Sequence, residues 1–185
     1  MEAFTHLSIL VSVILALGIA ALLSGFAQII EHRRTALVYS PSVCWALFLL
    51  LVHVQTWWTI FGLRSHLSWT FLEFAVLLLQ PITLYLLAAL TLPQSAAELN
   101  LREKYFSHRT WFFTLLIILL LASIVKDLVV NGVVPSAGNL AFHGLFLLIA
   151  AIGLLTTADR VHRLIAYAAL LAFSSYVALL FSRLS

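Results

Sequence analysis

The stretch 49-LLLVHVQTWWTIF-61 decides the fold class, because only one solvent suits it. Aliphatic and aromatic side chains fill it, no Lys, Arg, Asp or Glu interrupts it, and it closes on the paired indoles Trp57 and Trp58. Extended back to Ser42 and on to Leu63, it forms an uncharged run over 42–63. A run of about 20 such residues, rising about 1.5 Å each as a helix, matches the hydrocarbon thickness of a bilayer. Tryptophan at its edge suits the membrane–water interface. His53 and Gln55 lie inside this run, where lipid offers them no partner, so their hydrogen bonds must come from other parts of the protein.

The same signature recurs along the chain. Of its 185 residues 63% are hydrophobic and only 9% charged, and mean hydropathy is +1.10. A soluble domain carries about a quarter charged residues. Six runs reach spanning length, at 7–30, 42–63, 69–92, 110–131, 139–158 and 162–182. They predict an all-α fold, a polytopic bundle of six transmembrane helices with short loops in a single domain over 1–185. The start, MEAFTHLSIL, has no basic segment, and the apolar run after it exceeds a signal-peptide core, so the first helix is expected to remain.

Several function classes are excluded by what the chain lacks. Cys44 is the single cysteine, which rules out an intrachain disulfide and any Cys-x-x-Cys metal motif. No HExxH or GxSxG pattern supports a membrane hydrolase. The isoelectric point near 9.4 does not indicate nucleic acid, because the basic residues sit between spans and report orientation instead. Arg33, Arg34, Arg102, Lys104, Arg109, Arg160 and Arg163 fall on one side, against Arg64, Lys126 and Arg183 on the other. Both termini are therefore expected outside. Trp45 and Trp111 would form an inner aromatic belt, and Trp57, Trp58 and Trp69 an outer one.

Local patterns predict how the helices pack. In the first span Ser8, Ser12, Ala16, Ala20, Ser24 and Gln28 recur every fourth residue, with Gly18 and Gly25 beside them. Small residues let backbones approach closely in lipid, so Ser12, Ala16, Gly18, Ala20, Ser24 and Gly25 are expected to form a packing face. Between the third and fourth spans, 93-PQSAAELNLREKYFSHR-109 combines a proline stop, a Ser95/Glu98 capping box and a Glu98–Arg102 pair. It predicts either a solvated connector or a short helix over 96–106 lying on the membrane surface. In TTADRVHRL, surface charge and orientation account for Asp159, Arg160, His162 and Arg163.

The remaining polar residues converge in depth. His53 and Gln55 lie in the later half of the second span and Glu73 in the first turns of the third. Lys126 and Asp127 lie in the later half of the fourth, Asn139 and His143 in the first turns of the fifth. In an alternating bundle these half-helices share one side, and His53, Glu73 and His143 come out roughly two-thirds of the way to the outer face. Ionisable groups in spans face the bundle interior, a wet cavity or each other. The expectation is an outer-side cavity formed by His53, Gln55, Glu73, Gln80, Lys126, Asp127 and His143, with Glu73 paired to Lys126. Asp127, about 100° further round the helix, would turn to His53 or His143. Pro81, next to Gln80, removes a backbone hydrogen bond, and the freed carbonyl belongs beside a cavity.

Three functions compete on this evidence. A small transporter or channel would use the cavity for a proton, a small ion or a small solute. A non-catalytic subunit or scaffold of a membrane complex would use the polar residues to lock the bundle, and a homo-oligomer or a membrane-complex partner is expected as the assembly. A haem- or metal-binding protein would use His53 and His143 as paired ligands; no other cofactor is expected. The motifs HVQTWW (53–58), HRTWFF (108–113) and NLAFH (139–143), taken with the six-span layout, resemble a group of small, uncharacterised polytopic bacterial inner-membrane proteins. That resemblance implies a location in the inner membrane and brings no activity with it.

Overall fold

The structure, a computed structural model, describes residues 2–65 and 69–181, with side chains for 4–64 and 69–178. Arg183 and the end of the last expected span lie outside the described residues. The helices are α1 (Glu2–Glu31), α2 (Ser40–Phe61), α3 (Phe71–Thr91), α4 (Leu101–Val130), α5 (Ala137–Leu155) and α6 (Asp159–Phe181). Among the described residues six helices are long and apolar enough to cross a bilayer, which makes the chain an all-α, multi-pass membrane protein.

Each boundary has a local cause. Pro41 stands in the first turn of α2, where its missing N–H leaves nothing unsatisfied. Thr70 and Glu73 close a reciprocal capping box on α3. Asn100 and Ser136 accept backbone N–H groups at the starts of α4 and α5. After α4, Gly132 takes a positive φ of 63° that a side chain would disfavour.

The surface helix expected over 96–106 is not formed. Ala96–Glu98 make one 3-10 turn, and from Leu101 the chain is already in α4, a 30-residue rod about 45 Å long. The Asn100 cap opens α4 there, and buried Leu101 and Tyr105 dock its first turns on the bundle rather than on lipid. Glu98 pairs with Lys104 at 2.6 Å instead of with Arg102. Among the loops, Leu37 joins the 92–100 segment through a two-bond bridge, Leu37 N to Leu99 O at 3.0 Å and Leu101 N to Leu37 O at 3.1 Å.

Helix α2 is central, touching α1, α3, α4 and α6, while α3 packs between α1 and α4. Trp45 is not at an interface. It is wholly buried, edge-on to Phe48, Phe112 and Phe113 with centroids 5.1–5.8 Å away. The face α1 buries also differs from the expected one. It consists of Leu7, Val11, Leu15, Gly18, Leu22 and Gly25, a heptad-like spacing that keeps to one side of a helix, whereas a strict spacing of four drifts off it. Gly18 and Gly25 thus stand at helix contacts, Ser12 is half-buried, and Ala16, Ala20 and Ser24 face outward.

Candidate binding cavity

A cavity of about 310 Å³ opens at the end of the bundle opposite the arginine-rich loops, walled by side chains from α2 to α6. Of the residues the sequence singles out, Gln55, Gln80, Lys126, Asp127 and His143 line it, and so does Pro81. His53 and Glu73 do not. Glu73 caps its own helix, its Oε2 accepting from Thr70 N at 2.7 Å and Thr70 Oγ1 at 2.8 Å. His53 sits on the other side of α2, where its ring meets Gly18 of α1.

The expected pairings change accordingly. Lys126 Nζ lies 3.7 Å from Asp127 Oδ1, so neighbouring residues share the charge that Glu73 was expected to balance. The lysine side chain is long enough to reach back around the helix, which the 100° separation of the two Cβ positions does not reveal. Asn131 Nδ2 donates to the same Asp127 oxygen at 3.1 Å. Gln80 Nε2 approaches Thr56 Oγ1 at 3.4 Å across the α2–α3 contact.

The two histidines share a local geometry but not a site. His143 Nδ1 lies 2.9 Å from Asn139 O and His53 Nδ1 2.7 Å from Leu49 O. A carbonyl only accepts, which assigns the proton to Nδ1 in each neutral ring and leaves Nε2 a lone pair. At His143 that lone pair belongs to a ring lining the cavity. At His53 the Nε2 is buried without a hydrogen-bond partner. The rings do not face a common space, so paired ligation of a haem does not fit, and no cluster of three metal-ligating side chains occurs among the described residues.

The cavity has a polar mouth and an apolar base. Asn131, Asn139, Lys126 and Asp127 stand near the ends of α4 and α5, while Phe48, Phe146 and Phe173 close the bottom. Phe48 stacks on Phe146 at 5.4 Å and meets Phe173 at 5.2 Å. Behind Phe48 comes Trp45, so the way to the opposite end runs through packed rings. Such a space has room for a small molecule with polar and apolar ends, and the packed rings interrupt any continuous proton wire.

At the opposite end the structure holds a network that surface charge does not explain. His162 is wholly buried, Tyr105 Oη donates to its Nδ1 at 2.9 Å, and its Nε2 donates to Thr156 O at 2.9 Å. Arg109 donates to the same carbonyl. Asp159 accepts from Arg102 Nε at 3.3 Å and Arg163 Nε at 2.8 Å. Burial raises the Tyr39 hydroxyl above its ordinary pKa, and the nearby Asp159 carboxylate adds to the rise without reaching hydrogen-bond geometry. A signal for His162 does exist in the sequence: with Ile165, Ala166, Ala169 and Phe173 it follows the period of a buried helix face.

No protein-family model, curated protein or solved structure matches the chain.

Proposed function

We propose that this multi-pass membrane protein takes a small solute or ion into the cavity between α2 and α6, as the binding step of transport. The supporting observation is that Gln55, Gln80, Lys126, Asp127 and His143, drawn from four helices, line one space with a polar mouth and an aromatic base. The ion pair gives that mouth both signs of charge, and the His143 ring adds a hydrogen-bonding nitrogen, so polar and zwitterionic groups find partners there. The proposed location is the bacterial inner membrane with both termini outside. Supporting this are the resemblance noted above and the gathering of Arg33, Arg34, Arg102, Lys104, Arg109, Arg160 and Arg163 at one end.

The test combines access and flux. With Cys44→Ser as background, cysteines placed at Ser123 and Asn139 are expected to react with a membrane-impermeant thiol reagent from one side only. Candidate ions and solutes then enter proteoliposomes, with Lys126→Met and His143→Gln as the variants expected to slow uptake. Unreactive cysteines, or uptake equal to that of empty liposomes for every solute, would sink the reading.

One observation favours a second reading, a structural subunit or homo-oligomer. Ala16, Ala20 and Ser24 point away from the bundle on an otherwise leucine-rich helix, and small residues on an outward face favour contact with another helix. Native mass spectrometry after mild extraction separates the two: a stable partner chain or second copy supports this subunit role.

A further inference from the structure

The loops at the arginine-rich end leave an open groove lined by Tyr39, Asn100, Arg102, Ser107, Thr157 and Arg163, among others. We propose that this groove binds the phosphate headgroup of an anionic phospholipid. The proposal is independent of the cavity, which opens at the other end.

The first support is electrostatic. Up-and-down alternation brings the N-termini of α2, α4 and α6 to this end, at Ser40, Leu101 and Asp159. Each helix start carries the partial positive charge of its dipole, which favours an anion.

The second support is the state of the two guanidiniums. Asp159 takes the Nε–H of both Arg102 and Arg163, fixing their planes. Arg102 also lies over the Phe106 ring at 5.2 Å, and Arg163 over the Tyr39 ring at 5.9 Å. Among the described residues no hydrogen bond occupies their terminal nitrogens, and their side chains remain 62% and 53% exposed. They are held in place, unpaired at the tip, and open to a ligand. Of the acidic groups nearby, Asp159 is balanced by the two arginines, while Glu103 on the exposed rim keeps its charge and accepts from Asn100 Nδ2 at 3.2 Å. The Tyr39 ring, beneath the Arg163 guanidinium, lines the groove on a residue 3% exposed.

A phospholipid rather than free phosphate is favoured by the lip of the groove. Leu37 and Val38 line it while 63% and 59% exposed. The bridge to the 92–100 segment holds Leu37 there. A fixed apolar edge beside two guanidiniums, where three helices enter the hydrocarbon, suits a molecule whose phosphate continues into acyl chains.

The experiment is native mass spectrometry of the full chain in micelles containing phosphatidylglycerol or phosphatidylcholine, followed by titration in nanodiscs. The wild type is expected to retain one phosphatidylglycerol and roughly tenfold less phosphatidylcholine, the scale of a charge-assisted contact. Arg102→Gln with Arg163→Gln should lower that retention roughly tenfold at unchanged melting temperature. Equal retention of both lipids by the wild type would overturn the proposal, and that comparison needs no variant to fold. So would phosphatidylglycerol retention unchanged in a folded double variant. Inorganic phosphate stabilising lipid-free protein as well as short-chain phosphatidylglycerol does would overturn the lipid assignment.

Discussion

The ring of His53 fills the space that a side chain on Gly18 would need. A Cβ built at Gly18 overlaps His53 Nε2, and the imidazole is wholly buried between α1 and α2. With Nδ1 held by Leu49 O, the Nε2 lone pair is left against the α1 backbone, where a Cα–H group is the donor within reach. Gly18→Ala is therefore expected to destabilise the bundle by about 1–3 kcal/mol through overpacking. Gly144→Ala, where nothing lies within 4 Å of the new methyl group, should be neutral or gain up to about 1 kcal/mol from helix propensity. Melting in one detergent compares them; restoration of Gly18→Ala by His53→Ala would show that the two positions act on each other.

The Lys126–Asp127 pair makes a second expectation. Removing one partner strands a charge in a mostly enclosed site, so Lys126→Met or Asp127→Asn should each cost about 2 kcal/mol. The double variant should recover much of that loss. Glu73→Gln should instead cost only about 0.5–1 kcal/mol, as a weakened helix cap. A cost for Glu73→Gln matching that for Lys126→Met would restore the pairing expected from the sequence.

His162 is expected to be more important to stability than any exposed arginine near it. His162→Ala leaves the Tyr105 hydroxyl without its acceptor and Thr156 O without one donor, and opens a hole beside Phe113. A loss of about 2–4 kcal/mol follows. Arg160→Ala, at an exposed position, should lie within about 0.5 kcal/mol of the wild type. Denaturation curves on both variants check the contrast.

The pH dependence at the 92–100 segment follows from Glu98. Partial burial raises its carboxyl, but the Lys104 ammonium and the Gln94 N–H outweigh this and hold it below the ordinary range. A carboxyl depressed in the folded state stabilises fully above its unfolded pKa, near 4.3, and loses that contribution as pH falls through the folded value. Melting temperature should thus fall more steeply below about pH 4 in the wild type than in Glu98→Gln. The two curves should meet at the acid end; parallel curves would show that the contact contributes nothing.

Much of the fold was legible because lipid imposes a length and a composition that show directly in the residue string. Depth was legible too: Gln55, Gln80, Lys126, Asp127 and His143 share one cavity, as counting along the spans implied. Rotation about each helix axis was not. His53, two residues before Gln55, points to the opposite side of α2, and Glu73 is held back by its own cap. Trp45 and His162 were assigned to the periphery by their position near span ends, although helix α4 extends far enough to bury both.

The bridge at Leu37 has a mechanical consequence. Together with Tyr105–His162, Arg109–Thr156 and Tyr167–Ser40, it stitches α2, α4, α6 and the intervening loops into a seam across one end of the bundle. At the cavity end the helices meet through rings and aliphatic side chains, and Gln80 with Thr56 is a stretched contact of 3.4 Å. One end of the bundle is thus pinned by directional bonds and the other by side-chain packing alone. On the transport reading proposed above, a solute entering at the cavity end would leave by the same opening unless that seam were undone.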